Sequence, residues 1–351
     1  MNELLSPAGT LEAFKAAISN GADAIYLGLD KFNARAYANN FTIDNLKELI
    51  KYAHLRNVKI YVTMNTIVYD YELKEVFATI DELANIGVDG IIVQDLAILN
   101  YITSNYKSLH AHASTQMGID DIEGAALAKE MGIKRVVFAR ETKLETLKDI
   151  KDELVIEIEA FVHGALCVSY SGNCLMSSAI GERSGNRGRC AGCCRKLYTL
   201  VDINNKKDIK TGYLLSMKDL NTSDHLKEMS FIDSYKVEGR MKEPNYVASV
   251  TNTYRKLIDN EPVNTHNLLK VFNRTYTKGY INNEKVEEIT NIEKPNNFGY
   301  LIGTVTKQFK GKVWIKLFSE LNKGDQIRIE TNNLLEEISL PVTRLCDERM
   351  N

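Results

Sequence analysis

The residues best suited to chemistry are gathered in one stretch, from Glu157 to Arg195. It carries Cys167, Cys174, Cys190, Cys193 and Cys194, five of the six cysteines in the chain. His163 ends an apolar run inside it, and Arg183, Arg187, Arg189 and Arg195, with Lys196, make the densest basic run in the sequence. Six residues separate Cys167 from Cys174, and three separate Cys190 from Cys194. Four thiolates in loose loops suit an iron–sulfur cluster. A four-cysteine zinc site usually takes two short knuckles, and only the second pair has that form. A single nucleophilic thiolate, favoured by the flanking Arg189 and Arg195, is the third reading. Spacing leaves iron, zinc and nucleophile open. The arginines either balance the charge of a thiolate-held centre or contact phosphate or carboxylate groups. Cys346, in the distal β region, reads as an ordinary thiol.

The elements that must position this stretch form a repeat. Short β-rich runs, ELLSPAG (3–9), AIYLG (24–28), VKIYVTMN (58–65), GIIVQD (90–95), LHAHAST (109–115) and RVVFAR (135–140), alternate with segments of helical apolar spacing. IEIEAFVHG (156–164) is the seventh run, and SYKVEGR (234–240) is the eighth, after a long insertion. Eight such units in about 250 residues predict a TIM-like (β/α)8 barrel over 1–260, with the Cys-rich loop (165–233) between strands seven and eight. A doubly wound sheet ranks lower, because no Gly-rich dinucleotide loop follows the first strand. Residues 261–295 read as a linker or helical segment. From 296 to 351 apolar and polar residues alternate with glycines at turns, predicting a small antiparallel β-barrel-like domain. CDERMN closes the chain without a capping pattern, so an incomplete β module is allowed for.

The bulk numbers narrow the partners. The chain has 351 residues, 44% of them hydrophobic, and a formal net charge of -2. A nucleic-acid site must then be a local patch. There is no signal-peptide pattern and no run approaching the roughly 20 apolar residues of a membrane span, so the expectation is a cytoplasmic protein with no membrane partner and with reduced thiols.

A barrel places its chemistry at the C-terminal strand ends. Polar groups recur there: Asn65, Gln94, Asp95, Ser114, Gln116, Arg140, Glu141, His163, Glu238 and Arg240. His163 and His112 read as proton shuttles, with a satisfied core histidine as the plainer alternative. Glu157 and Glu159 share one strand face, and Lys236, Glu238 and Arg240 share another. They read as an anion site, with a buried ion network as the alternative. Catalytic candidates are thus His163, His112, Glu159, Arg140, Lys236 and Glu238, and substrate-binding candidates are Asn65, Gln116, Arg187, Arg189 and Arg240.

EAFVHGALCVSYSGNCLMS resembles the signature of the peptidase U32, or collagenase-like protease, family. ELLSPAG, GADAIYLG, HASTQ, FARE, SGNRGRCAGCCR, LLSMKDL and YKVEGRMKEPNYV support the resemblance in family order over about residues 3–257. The resemblance implies an RNA hydroxylase acting on tRNA wobble uridine or a 23S rRNA cytidine, with the connection LYTLVDINNKKDIKTGYLLSMKDL and VFNRTYTKGYI leaning to the rRNA type. It implies a [4Fe-4S] cluster on Cys167, Cys174, Cys190 and Cys194, with Cys193 where relatives usually have proline. It also implies prephenate as a small anionic co-substrate; we expect such a dianion to be held by Arg140 or Arg240, with His163 or His112 assisting. Partners would be RNA, with a homo-oligomer or a paralogous partner left open. The alternatives carried are a U32-type peptidase and a cluster-bearing scaffold in a hydroxylation complex. Neither an H-E-x-x-H helix nor a G-x-S-x-G elbow occurs to support the peptidase label.

Overall fold

The computed structural model describes residues 2–330 and 337–344; Cys346 and the terminal CDERMN lie outside them. The chain divides into two units, Met1–Phe298 and Gly299–Asn351. The first opens with β1 (Glu3–Pro7), α1 (Leu11–Ser19), β2 (Ala24–Gly28), α2 (Ile43–His54), β3 (Lys59–Met64) and α3 (Leu73–Asn85). It continues through β4 (Gly90–Val93), α4 (Leu96–Asn105), β5 (His110–Ala113), α5 (Ile122–Glu130), β6 (Arg135–Val137), α6 (Leu144–Glu153) and β7 (Glu157–Ala165). Helix α7 (Met176–Gly181), the hairpin β8 (Tyr198–Asp202) and β9 (Lys207–Gly212), and β10 (Asp219–Asn221) precede β11 (Ser234–Val237) and α8 (Pro244–Ile258).

Strands β1 to β7 pair in parallel in order, and β11 closes the ring by pairing in parallel with both β7 and β1. This is the eight-stranded TIM-like barrel that the repeat predicts. The helices close over it with apolar residues one turn apart: Leu46, Ile50 and Ala53 on α2, Val76, Ile80 and Leu83 on α3. Thr10, Thr42, Asp95 and Asp121 start α1, α2, α4 and α5 by accepting backbone N–H bonds at the helix entrance.

Two features were not legible in the strand pattern. Strand β10 runs antiparallel to the end of β7, and β12 (Tyr276–Thr277) pairs with β10 in turn. The segment read as a linker supplies Leu268, Ile281 and Ile289 to the same core, the last from α9 (Val286–Ile289). The second unit contains two antiparallel hairpins among its described residues, β13 (Gly303–Phe309) with β14 (Lys312–Leu317), and β15 (Gln326–Glu330) with β16 (Glu337–Pro341). Among the described residues no helix is long and apolar enough to cross a membrane.

Candidate functional site at the barrel mouth

The C-terminal strand ends converge on a polar mouth centred on Glu238. Its carboxylate accepts from Arg35 Nη2 at 3.2 Å, and Arg140 Nη2 stands 3.9 Å away. Burial would raise its pKa, but Arg35, Arg140 and Arg240 together hold it below the ordinary carboxylate range. Arg240 donates to Thr63 Oγ1 at 2.9 Å, Asn40 Oδ1 at 2.7 Å and Asn33 Oδ1 at 3.1 Å, all neutral oxygens. Burial and Arg35 pull its pKa down to about 10, which leaves it charged at neutral pH. Gly28 makes room for it, because a Cβ there would lie 2.1 Å from Arg240 Nη2. On the opposite side, Asn65 donates to Gln116 Oε1 at 3.0 Å and Ser114 Oγ at 3.4 Å, and Gln94 Nε2 donates to the Gln116 carbonyl at 3.3 Å. Three buried atoms of this mouth, Gln94 Oε1, Arg140 Nε and Arg240 Nε, have no hydrogen-bond partner. Three arginines around one carboxylate, with free hydrogen-bonding capacity, suit a small anion with oxygen acceptors.

The cysteine loop lies across this mouth. From β7 it touches the loop after β5 through Tyr170 and Gly118, and the loop after β6 through Ser171 and both oxygens of Glu141. It reaches the loop after β2 through the Ala36 N–H to Gly188 carbonyl bond, and the loop after β3 through Arg187, which binds Glu72 bidentately and the Ile67 carbonyl. Arg195 anchors the far end, bonding Ser216, the Met217 carbonyl and the Leu166 carbonyl. It is thus a structural clamp. Arg189 is exposed, and its carbonyl accepts from Arg183 Nε at 3.2 Å.

All five thiols of the loop are free. Burial raises the pKa of Cys194, Arg195 opposes that, and Cys167, Cys190 and Cys174 add to it; the four thiols therefore share one electrostatic neighbourhood. Backbone N–H groups of Met176 and Gly192 point at the sulfurs of Cys174 and Cys190, each at 3.4 Å. Cys193 is buried instead, with its sulfur 3.7 Å from Ser177 Oγ. Among the described residues no three His, Cys, Asp or Glu side chains converge on a point where one ion could sit. The donor set still fits a multi-iron centre: four thiols, with amide N–H bonds to two sulfurs.

Several residues expected at this site stand elsewhere. Glu159 and Lys236 do not share a volume with Glu238 and Arg240. They belong to the third position of β7 and β11, deep in the barrel, where Lys236 Nζ lies 2.6 Å from Glu159 and Arg135 lies 3.2 Å from it. Arg135 also binds Glu3 and Glu157. Burial works against the Glu159 charge, but Lys236 and Arg135 hold its pKa below the ordinary value. Two residues along a strand rise about 6.6 Å, enough to place Lys236 and Glu238 in different layers. His112 joins the deep layer, its ring 4.6 Å from that of Tyr61. Burial, then Arg135, hold its pKa well below the ordinary histidine value.

His163 leaves the barrel interior altogether. Phe161 pairs with Lys236, but the next pair is His163 with Val237, so Val162 is an extra residue on β7. This bulge reverses the alternation and turns His163 outward. Its ring packs between Tyr246 and Tyr254 of α8 and Tyr276 of β12. Burial alone lowers its pKa to about 3, so it is neutral at neutral pH. Arg35, Asn33, Asn40 and Tyr26 are the mouth residues that sequence reasoning missed. Tyr26 could have been found, since Ala24, Tyr26 and Gly28 share the inward face of β2; the others lie on a loop with no pattern.

The sequence profile of peptidase family U32 matches residues 9–291. The chain belongs to peptidase family U32. Among its relatives, an uncharacterized protease of Methanocaldococcus jannaschii is 37% identical over 373 residues, covering 96% of this chain and 89% of that protein. A 23S rRNA 5-hydroxycytidine synthase of Escherichia coli K12 is 35% identical over 345 residues, covering 93% of this chain and 52% of that protein. A tRNA hydroxylation protein of Bacillus subtilis is 37% identical over 265 residues, 73% of this chain and 63% of that protein. This U32 chain therefore spans about half the length of the E. coli synthase and less than two thirds of the B. subtilis protein.

Proposed function

We propose that this U32 protein is an RNA-modifying enzyme that hydroxylates C5 of a pyrimidine, with a [4Fe-4S] cluster on Cys167, Cys174, Cys190 and Cys194 and prephenate as the oxygen-bearing co-substrate. The observation that carries it is the juxtaposition of four free thiols, on a loop that crosses the mouth, with three arginines around Glu238 beneath. Relatives named for rRNA and tRNA hydroxylation support RNA as the substrate class. A bound cluster would supply one-electron chemistry or a Lewis-acidic iron.

The chain's own residues do the rest. Arg140 and Arg240 would bind the carboxylates of the co-substrate, with Arg35 and Glu238 setting their orientation. Gln94, Asn65 and Gln116 present amide groups that can read the edge of a base. A pyrimidine reaches this depth only from a single strand or after flipping out of a helix. The peptidase reading has less geometric support, because His112 lies in the deep layer and His163 lies in the tyrosine cage, so neither can activate a nucleophile at the mouth.

The test begins with protein purified without oxygen. It should be brown and carry iron and sulfide, and Cys167→Ala should bleach it, whereas Cys193→Ala should keep its colour. Nucleosides of rRNA and tRNA from a strain lacking the gene should lose a 5-hydroxypyrimidine that returns on complementation. Colourless protein holding one zinc per chain would overturn the cluster, and unchanged hydroxypyrimidines in both RNA pools would overturn the RNA role.

A further inference from the structure

Outside the mouth, one exposed surface combines aromatic rings with arginines. Tyr69 and Tyr71, on the turn after β3, stack on each other with ring centroids 5.3 Å apart and planes 17° from parallel. They are 50% and 80% exposed. The guanidinium carbon of Arg187 lies 4.4 Å from the Tyr69 centroid. Tyr37, on the loop after β2, is 58% exposed, with Arg183 at 5.1 Å from its ring.

These groups form one rim. The Ala36 N–H to Gly188 carbonyl bond, at 3.2 Å, joins the loop of Tyr37 to the cysteine loop. Arg187 joins that loop to the tyrosine turn, at 2.6 Å from the Ile67 carbonyl and 2.6 Å from Glu72. The rim continues into the mouth, because the segment that carries Tyr37 also carries Asn33, Arg35 and Asn40, which hold Arg240 and Glu238.

Packing does not explain the rings. Among the described residues the other stacked pair, Phe77 with Tyr101, flanks the main core, whereas Tyr71 is largely exposed and Tyr69, between Tyr71 and Arg187, braces it from below. Charge selects the occupant. Arg187 already neutralises Glu72, while Arg183 and Arg189 make no ion pair among the described residues. Asp70 and Glu182 are the nearby carboxylates in sequence, and neither is in an ion pair with these arginines. Exposed rings alternating with guanidinium planes are what unpaired bases stack upon, while free arginines meet the phosphates between them.

We propose that Tyr37, Tyr69 and Tyr71, with Arg183, Arg187 and Arg189, form a stacking platform for the unpaired bases that flank the reacting nucleotide. This rests on the reading of RNA as substrate. The platform holds single strands in preference to duplex and leads the strand over the rim toward Arg240.

The test is fluorescence anisotropy of the full-length protein with a short labelled single-stranded RNA and with the corresponding duplex. Tyr71→Ala should weaken single-strand binding roughly tenfold or more, the effect of losing one stacked base, and Tyr69→Ala should weaken it in the same direction by removing the ring that supports Tyr71. Tyr71→Phe and Tyr69→Phe should bind within about twofold of wild type, because the ring face and not the hydroxyl is used. Duplex binding should not change. Melting temperatures should also match wild type, which separates the effect from misfolding. If both alanine variants bind as wild type and still restore the hydroxypyrimidine in cells, the platform is wrong and the RNA reading stands. If the wild type binds no RNA and the nucleosides do not change, the RNA reading itself has failed, and the platform with it. A protein partner lost on Tyr71→Ala, with RNA binding intact, would also overturn the platform and mark the rim as a protein interface.

Discussion

Two charged layers of the same barrel use nearly the same residue types to opposite ends. In the deep layer Arg135 meets Glu3, Glu157 and Glu159, and Glu159 meets Lys236, so each charge has a partner within hydrogen-bonding distance. At the mouth Arg35, Arg140 and Arg240 surround Glu238 alone, and Arg140 Nε and Arg240 Nε are unpartnered. The paired charges of the deep layer specify a packing arrangement, with only the neutral His112 leaving a buried ring nitrogen, Nδ1, unpartnered there. At the mouth the unpartnered guanidinium nitrogens support the proposed anion site.

The largest effect should come from breaking the paired layer. Glu159→Ala leaves Arg135 and Lys236 short of a buried partner and should cost about 3–5 kcal/mol in urea unfolding. A loss below about 1 kcal/mol would mean that water or neighbours compensate, and that the layer is not the closed network described. The same surgery at the mouth should behave differently. Glu238→Gln should lower the melting temperature by less, about 1–3 kcal/mol in stability, and millimolar malonate or a similar dianion should restore much of it. Malonate should not rescue Glu159→Ala. If it rescues neither variant, the mouth is not an anion site.

Acid sharpens the contrast further. His163 and His112 both have folded pKa values below the ordinary one, His163 at about 3. The unfolded chain therefore takes up protons before the folded one does. The stability tied to each histidine is complete above pH 6.5 and declines as pH falls toward its folded value, by about 1.4 kcal/mol per pH unit for each. Below about pH 4.5 the carboxylates join, because Glu3, Glu159 and Glu238 have lowered pKa values, and the stability they confer is lost as pH falls through those values. His163→Phe should halve the slope between pH 6.5 and 4.5, as read from denaturation at a series of pH values; an unchanged slope would show that His163 is solvated. Gly28→Ala puts a methyl against the buried guanidinium of Arg240, which Thr63, Asn33 and Asn40 hold, so stability should fall by about 1–3 kcal/mol. The proposed hydroxylation should fall at least tenfold, because the guanidinium is displaced. Full activity in this variant would remove Arg240 from the site.

All eight barrel strands were legible in order, because buried parallel strands and amphipathic helices leave different periods in the chain. The cysteine loop could also be placed on the face where chemistry is expected. The roles of individual residues were less legible. Lys236 and Glu238 are in phase, two residues apart along a strand, which shows that they share a direction but not that they lie in different layers. Strand alternation pointed His163 into the barrel, and one inserted residue, Val162, turned it out. Arg35, Asn33 and Asn40 come from an irregular loop whose position depends on its bonds to Gly188 and Arg240.

What the sequence determined by itself was the local and periodic part: which segments pair as strands, which helical faces are apolar, and that five thiols follow the seventh strand. These follow from short-range sterics and burial, which act on neighbouring residues. Only the tertiary structure decided which charges are paired and which are left open, because that depends on barrel closure, on one bulge and on loops far apart in the chain. Closure carries Arg240 from near residue 240 across Gly28 to the loop after β2, and the loop after β7 then covers both.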